Sequence, residues 1–105
     1  MLSIVVPAYN EAEGIVIFME RLQETLDTQA GGWEAIFVDD GSTDSTWEKL
    51  LSFSQQYNNV TAISLSRNFG KDIAIVAGLE AVRGQAAIVI DADLQDPPEI
   101  IPDMI

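Results

Sequence analysis

The sequence predicts an α/β fold in which a parallel sheet of about four strands carries helices on both faces. Two observations carry that expectation. Short β-branched apolar runs alternate with longer segments of helical period, which implies right-handed crossovers and a sheet covered on both sides. Three of those apolar runs also end in polar clusters, Pro7-Ala8-Tyr9-Asn10-Glu11, Asp39-Asp40-Gly41-Ser42 and Asp91-Ala92-Asp93. In open parallel sheets ligands bind outside the carboxyl ends of the strands, so clusters distant in sequence are expected to converge on one edge.

Leu2 to Pro7 reads as a buried strand stopped by proline. Asn10 is placed to cap the next helix, with Glu13 three residues on as in a capping box. Ile15, Phe18, Met19, Leu22 and Leu26 follow at helical spacing, and Gly31-Gly32 closes the segment. Ala35 to Val38 is the second strand; Ser42 or Thr43 then caps a helix carrying Trp47, Leu50, Leu51 and Tyr57. Val60 to Leu65 is the third strand, Gly70 to Arg83 an apolar helix ended by Gly84, and Ala86 to Ile90 the fourth strand. The stripe Ile73, Ile75, Val76 and Leu79 is expected to face the core.

A chain of 105 residues with 48% hydrophobic content suffices for one core and one domain. Five Lys and Arg against seventeen Asp and Glu give a net charge of −12, which argues against nucleic acid or an anionic membrane as a partner. Any phosphate is expected to arrive with a cation. The absence of Cys and His excludes disulfides, thiolate zinc sites and Ser-His-Asp triads, leaving carboxylates and oxygen-seeking metals. No basic n-region opens the chain and no run approaches about 20 apolar residues, so the segment is expected to be cytoplasmic.

Asp91 ends an apolar strand, where an anion is costly without a counter-charge. Alternate residues of an extended segment point the same way, so Asp91 and Asp93 can offer oxygens to one divalent cation. Two adjacent acids at Asp39-Asp40 exceed what capping needs, which favours Asp39 as an acceptor for a ligand's N–H groups. Pro7 and Tyr9 fit either a plain turn with a packed aromatic or a platform on which a flat base stacks, with Glu11 on its polar edges. Arg67 and Lys71 supply either charge balance or groups that orient acids and phosphates.

Taken in order, VVPAYNE, VDDGSTDST, LSRNFGK, AGLEAVRG and VIDADLQDPPE resemble the N-terminal half of a family 2 glycosyltransferase of the GT-A fold. DADLQDPPE is similar to the form found in the polyprenyl-phosphate branch, which includes dolichol-phosphate mannosyltransferase and bactoprenol glucosyltransferase. The resemblance covers essentially the whole chain. It implies a Rossmann-like nucleotide-binding half with strand order 3-2-1-4. Pro7, Tyr9, Glu11 and Asp39 match residues that hold the nucleotide, Asp39 facing the base. Asp91, Ala92 and Asp93 match the D-x-D motif that binds Mg²⁺ or Mn²⁺ and the donor diphosphate, and Gln95 matches a further metal-site residue. Asp72 departs from the Glu often found there, and Ile73 to Val76 is bulkier than the family's alanine-rich run.

The activity implied is transfer of a sugar from a UDP- or GDP-sugar to an acceptor, polyprenyl (undecaprenyl or dolichyl) phosphate in that branch, by metal-assisted inverting displacement. The parent would work at the cytoplasmic face of the membrane. The family's catalytic domain continues beyond the point reached at Ile105, so residues 1–105 are expected to be its nucleotide-sugar-binding part and inactive alone. The fourth strand and the tail Ile100, Ile101, Met104 and Ile105 would then lack cover, and the fragment is expected to self-associate. Two other classes fit less well. A phosphoacceptor receiver domain has a similar acidic pocket, but its acid pair follows the first strand and a later lysine follows a fifth, whereas no Lys follows Lys71. A calcium loop of EF-hand type needs a glycine where DADLQDPPE has Asp96-Pro97.

Overall fold

The computed structural model describes residues 1–93 and 98–104. Four parallel strands, β1 (Leu2–Ala8), β2 (Trp33–Asp39), β3 (Val60–Ser64) and β4 (Ala86–Val89), form one sheet in the order β3-β2-β1-β4. The expected topology is therefore observed. Helices α1 (Ile15–Leu26), α2 (Thr46–Gln56) and α3 (Lys71–Glu80) make the crossovers, and a 3-10 turn (Pro98–Ile100) leads into the short α4 (Ile101–Met104).

The period of two along each strand divides the core into two layers. Ile4, Val6, Ala35 and Phe37 face α1 and α2, where Phe37 meets Phe18 edge-on at 6.3 Å and Phe53 at 6.0 Å between ring centroids. Ile36 and Val38 face α3 with Ala74. β1 and β2 are buried along their whole length, so their runs are continuously apolar except at Ser3, Glu34 and Asp39. Ser3 donates to Glu34 Oε2 at 2.6 Å, and that oxygen also accepts Arg83 N–H at 2.7 Å, so the buried pair ties the α3–β4 turn to the sheet.

Pro7 does not stop β1, which continues to Ala8 in register with Asp39. β4 pairs only as far as Val5, whose carbonyl accepts Ile90 N–H, whereas the Ala8 carbonyl accepts Asp40 N–H from the β2 side. Pro7 shares the orientation of Val5, so its missing N–H falls on a flank that β4 has already left.

Three local expectations are overturned. Asn10 does not cap α1: the helix starts at Ile15 behind Gly14 with no side-chain cap, and Asn10, at φ +52°, spends its side chain on Thr43 instead. Neither Ser42 nor Thr43 caps α2. Its first residue, Thr46, donates its N–H to Asp44 Oδ1 at 2.9 Å, while Ser42 Oγ accepts Asn10 N–H. The stripe on α3 is reversed: Ile73, Val76 and Leu79 are 50%, 55% and 44% exposed, and the sheet-facing residues are Ala74 and Gly78. A Cβ on Gly78 would lie 2.5 Å from Val5 Cγ1, so close approach to β1 admits only the smallest residue there.

Ile101 also departs from expectation: it is completely buried beside α1 rather than part of an exposed tail. Both Arg21 nitrogens that contact Glu99 donate to its carboxylate, holding the 3-10 turn against α1. No helix among the described residues is long and apolar enough to cross a membrane.

Candidate active site

At the carboxyl end of the sheet, where β4 leaves the flank of β1, lies an open pocket of about 200 Å³. The end of β1 contributes Pro7, Ala8, Tyr9 and Glu11, the end of β4 contributes Asp91, Ala92 and Asp93, and Asp40 and Lys71 complete the lining. The clusters at the ends of β1 and β4 thus meet, as their positions at parallel strand ends require. Tyr9 is 44% exposed, with its ring available at the pocket mouth.

Asp39 and Asp40 are adjacent, and the strand's alternation sends them in opposite directions. Asp40 turns to the α3 side. Its two carboxylate oxygens accept Phe69 N–H at 2.9 Å and Gly70 N–H at 3.1 Å, which fixes the loop entering α3. Asp39 is 3% exposed; Oδ2 accepts Ser42 N–H at 3.4 Å, and the buried Oδ1 has no hydrogen-bond partner among the described residues. Asp39, expected at the site, does not itself line the pocket; it is in register with Ala8, which does. An unmatched buried carboxylate oxygen is costly unless a donor arrives. Gly41 makes the turn between these acids and α2 at φ +73°, and a Cβ there would meet the Arg67 backbone at 2.3 Å. The loop carrying the acids is therefore packed directly on the loop before α3.

Arg67 does not line the pocket; its guanidinium lies over the Phe69 ring, 4.7 Å from the centroid. Lys71 does, with Nζ 2.5 Å from Asp91 Oδ2. Gln95 lies outside the described residues. Asp44 carries no signal in the sequence, and Asp40 enters only as part of the Asp39-Asp40-Gly41-Ser42 cluster, although the alternation rule already separates the roles of two neighbouring acids at a strand end.

Negative charge is concentrated here. Burial raises the Glu11 carboxyl above the usual range, and the charges of Asp93, Asp44 and Asp91 raise it further. For Asp44 burial also pushes upward, but hydrogen bonds from the Thr46 hydroxyl, Thr46 N–H and Ala12 N–H outweigh it and bring the net shift below the ordinary value. The donor set fits a hard divalent cation. All candidate ligands are oxygens, and among the described residues no group of three or more acids forms a ready-made cage. Two carboxylates completed by ligand phosphates and water match how Mg²⁺ is usually held, and Mn²⁺ accepts the same hard oxygens.

Comparison with known proteins agrees with this geometry. The family model described as glycosyl transferase family 2 matches residues 3–105. A glycosyltransferase of Bacillus subtilis (strain 168), YkcC, described as uncharacterized, is 50% identical over 103 residues, covering 98% of this chain and 32% of that protein. The undecaprenyl-phosphate 4-deoxy-4-formamido-L-arabinose transferase of Salmonella choleraesuis (strain SC-B67) is 39% identical over 104 residues, again 98% of this chain and 32% of the other. Among solved structures, the mannosyltransferase PcManGT of Pyrobaculum calidifontis in complex with GDP-Man and Mn²⁺ superposes with a TM-score of 0.78 at 26% identity, over 88% of this chain and 27% of that one. The chain thus spans about a third of the length of these relatives. The receiver and calcium-loop alternatives fall away. Family-wide sequence match, sheet order and an acidic pocket at the carboxyl edge agree that this chain belongs to glycosyl transferase family 2.

Proposed function

We propose that residues 1–105 are the nucleotide-sugar-binding part of an enzyme that transfers a sugar from a UDP- or GDP-sugar to a polyprenyl (undecaprenyl or dolichyl) phosphate at the cytoplasmic face of a membrane. The observation that carries the nucleotide assignment is the buried Asp39 Oδ1 without a donor, next in register to the pocket wall. A base N–H would satisfy it. Tyr9 would stack on the base and Glu11 would bind polar edges of the nucleoside, with Pro7 shaping the wall between them.

Asp91 and Asp93 would hold Mg²⁺ or Mn²⁺, with Gln95 joining them by family resemblance. When bound, the ion supplies Lewis-acid stabilisation of the charge that develops on the departing nucleoside diphosphate. Lys71 adds a positive charge at the same edge. With inversion at the anomeric carbon, one in-line displacement suffices: the acceptor oxygen forms a bond to the sugar as the diphosphate oxygen leaves. A phosphate monoester is already ionised near neutral pH, its second pKa being about 6, so this chain need not supply a strong base. The lipid-phosphate acceptor draws its support from the name of the Salmonella relative.

Two measurements test the proposal. In the full-length parent, Asp93→Asn should remove most turnover in the presence of Mg²⁺ or Mn²⁺; unchanged turnover at limiting metal would refute the metal role. The 105-residue chain should bind UDP or GDP weakly, only with the metal, and transfer no sugar. Glycosyl transfer by the purified chain would overturn the partition of function.

A further inference from the structure

Lys71 is the one cation lining the pocket among the described residues, where it faces the carboxylates of Glu11, Asp40, Asp91 and Asp93. Its position is imposed by the fold. Asp40, 4% exposed at the end of β2, holds the N–H groups of Phe69 and Gly70, the two residues before Lys71. α3 begins at Lys71, and the ammonium reaches Asp91 Oδ2 at the end of β4. One strand end thereby places a cation on the acid of another.

The ammonium 2.5 Å from Asp91 Oδ2 is paired with one oxygen of a carboxylate that would also hold the divalent ion. Both cations cannot share that oxygen closely without strong mutual repulsion. Lys71 is the easier one to move. Its side chain is 59% exposed, on a flexible stem with rotatable donors, whereas Asp91, 26% exposed, is fixed by the end of the sheet.

Resting on the assignment of Asp91 and Asp93 as metal ligands, we propose that Lys71 is an exchangeable counter-ion. Before the donor binds, its ammonium neutralises Asp91. With a metal held by Asp91 and Asp93, the ammonium would leave Asp91 and turn to the oxygens of the donor diphosphate. No covalent bond or proton transfer is involved; one ion pair is traded for another. The consequence is a coupling: Asp91 keeps a counter-charge while the site is empty, and the metal is bound well only with the diphosphate that receives Lys71.

Removing the ammonium should therefore shift two affinities in opposite directions, an outcome that general damage to the site would not produce. The probes are Mn²⁺ alone, followed by electron paramagnetic resonance, and UDP or GDP at saturating Mn²⁺, followed by calorimetry, on the folded 105-residue chain. Lys71→Met should bind Mn²⁺ alone about two- to fivefold more tightly and bind UDP or GDP about fivefold or more weakly, magnitudes set by an exposed ion pair. Lys71→Arg keeps the charge and should stay near wild type in Mn²⁺ affinity. Unchanged or weaker Mn²⁺ binding by Lys71→Met overturns the exchange while leaving the metal site standing. Tighter Mn²⁺ binding with unaltered nucleotide affinity overturns the transfer to the diphosphate, and with it the coupling. If neither the wild-type chain nor Lys71→Met binds Mn²⁺ at millimolar concentration even with UDP or GDP present, the metal assignment itself fails and the exchange falls with it.

Discussion

Asp39 and Asp40 are adjacent and chemically identical, yet the structure gives them opposite tasks. Asp40 is saturated by two backbone N–H groups and Asp39 keeps one buried oxygen unmatched. Asp40→Ala should cost about 2–3 kcal/mol in a urea unfolding experiment, because two N–H groups in the loop before α3 lose a charged acceptor. Asp39→Asn should leave the melting temperature near wild type but weaken binding of UDP or GDP with Mn²⁺; equal loss of stability in both variants would show that Asp39 is structural too. Asp44 offers a pH test. Its folded-state pKa lies below the unfolded value, so its contribution to stability is present above the unfolded pKa and is lost as pH falls through the folded one. Asp44→Ala should therefore be destabilised by about 1 kcal/mol at pH 7, a typical capping loss, and by progressively less as both proteins are melted at acid pH.

At the scale of elements, α3 shows where periodicity misleads. The helix is apolar on nearly every side, so spacing marks several faces as candidates for the core, and the bulkiest stripe was the natural choice. Packing selected the smallest residues instead. Gly78 sits against Val5 and Val38, and Ala74 is completely buried beside Ile36 and Val38. Gly78→Val should lower stability by about 1–3 kcal/mol through overpacking. Val76→Gln, at a position 55% exposed, should stay within about 0.5 kcal/mol of wild type. Chemical denaturation midpoints decide between the two faces; a larger loss at Val76 than at Gly78 would restore the original assignment.

For the whole molecule, β4 has β1 as its strand neighbour among the described residues, and Val89, Ile73, Val76 and Leu79 lie exposed. An open strand edge and an apolar helix face favour association. Sedimentation equilibrium at micromolar concentration should give a mass above 11.5 kDa that rises with concentration. A concentration-independent monomer would show that the edge does not drive pairing. Burial of Ile101 narrows the contact region expected from sequence, leaving the β4 edge and the outer face of α3 as the surfaces to test by substitution at Val89 and Val76.

By itself the sequence determined the α/β class, the alternation of strands and helices, and the convergence of Pro7 to Glu11 with Asp91 to Asp93, because period and strand-end position are local properties of the chain. The strand order followed from the family motifs. Tertiary structure decided what depends on neighbours distant in sequence. Asn10 fits a cap by spacing alone, but Ser42 and Thr43, brought alongside by the β1–β2 pairing, offer it better partners. Lys71 had two readings in the sequence, and only the clamp of Asp40 on the preceding loop carries its ammonium to Asp91. Hydrogen bonds and close packing between strand ends select one among several locally acceptable roles, and that selection exists only once the sheet has formed.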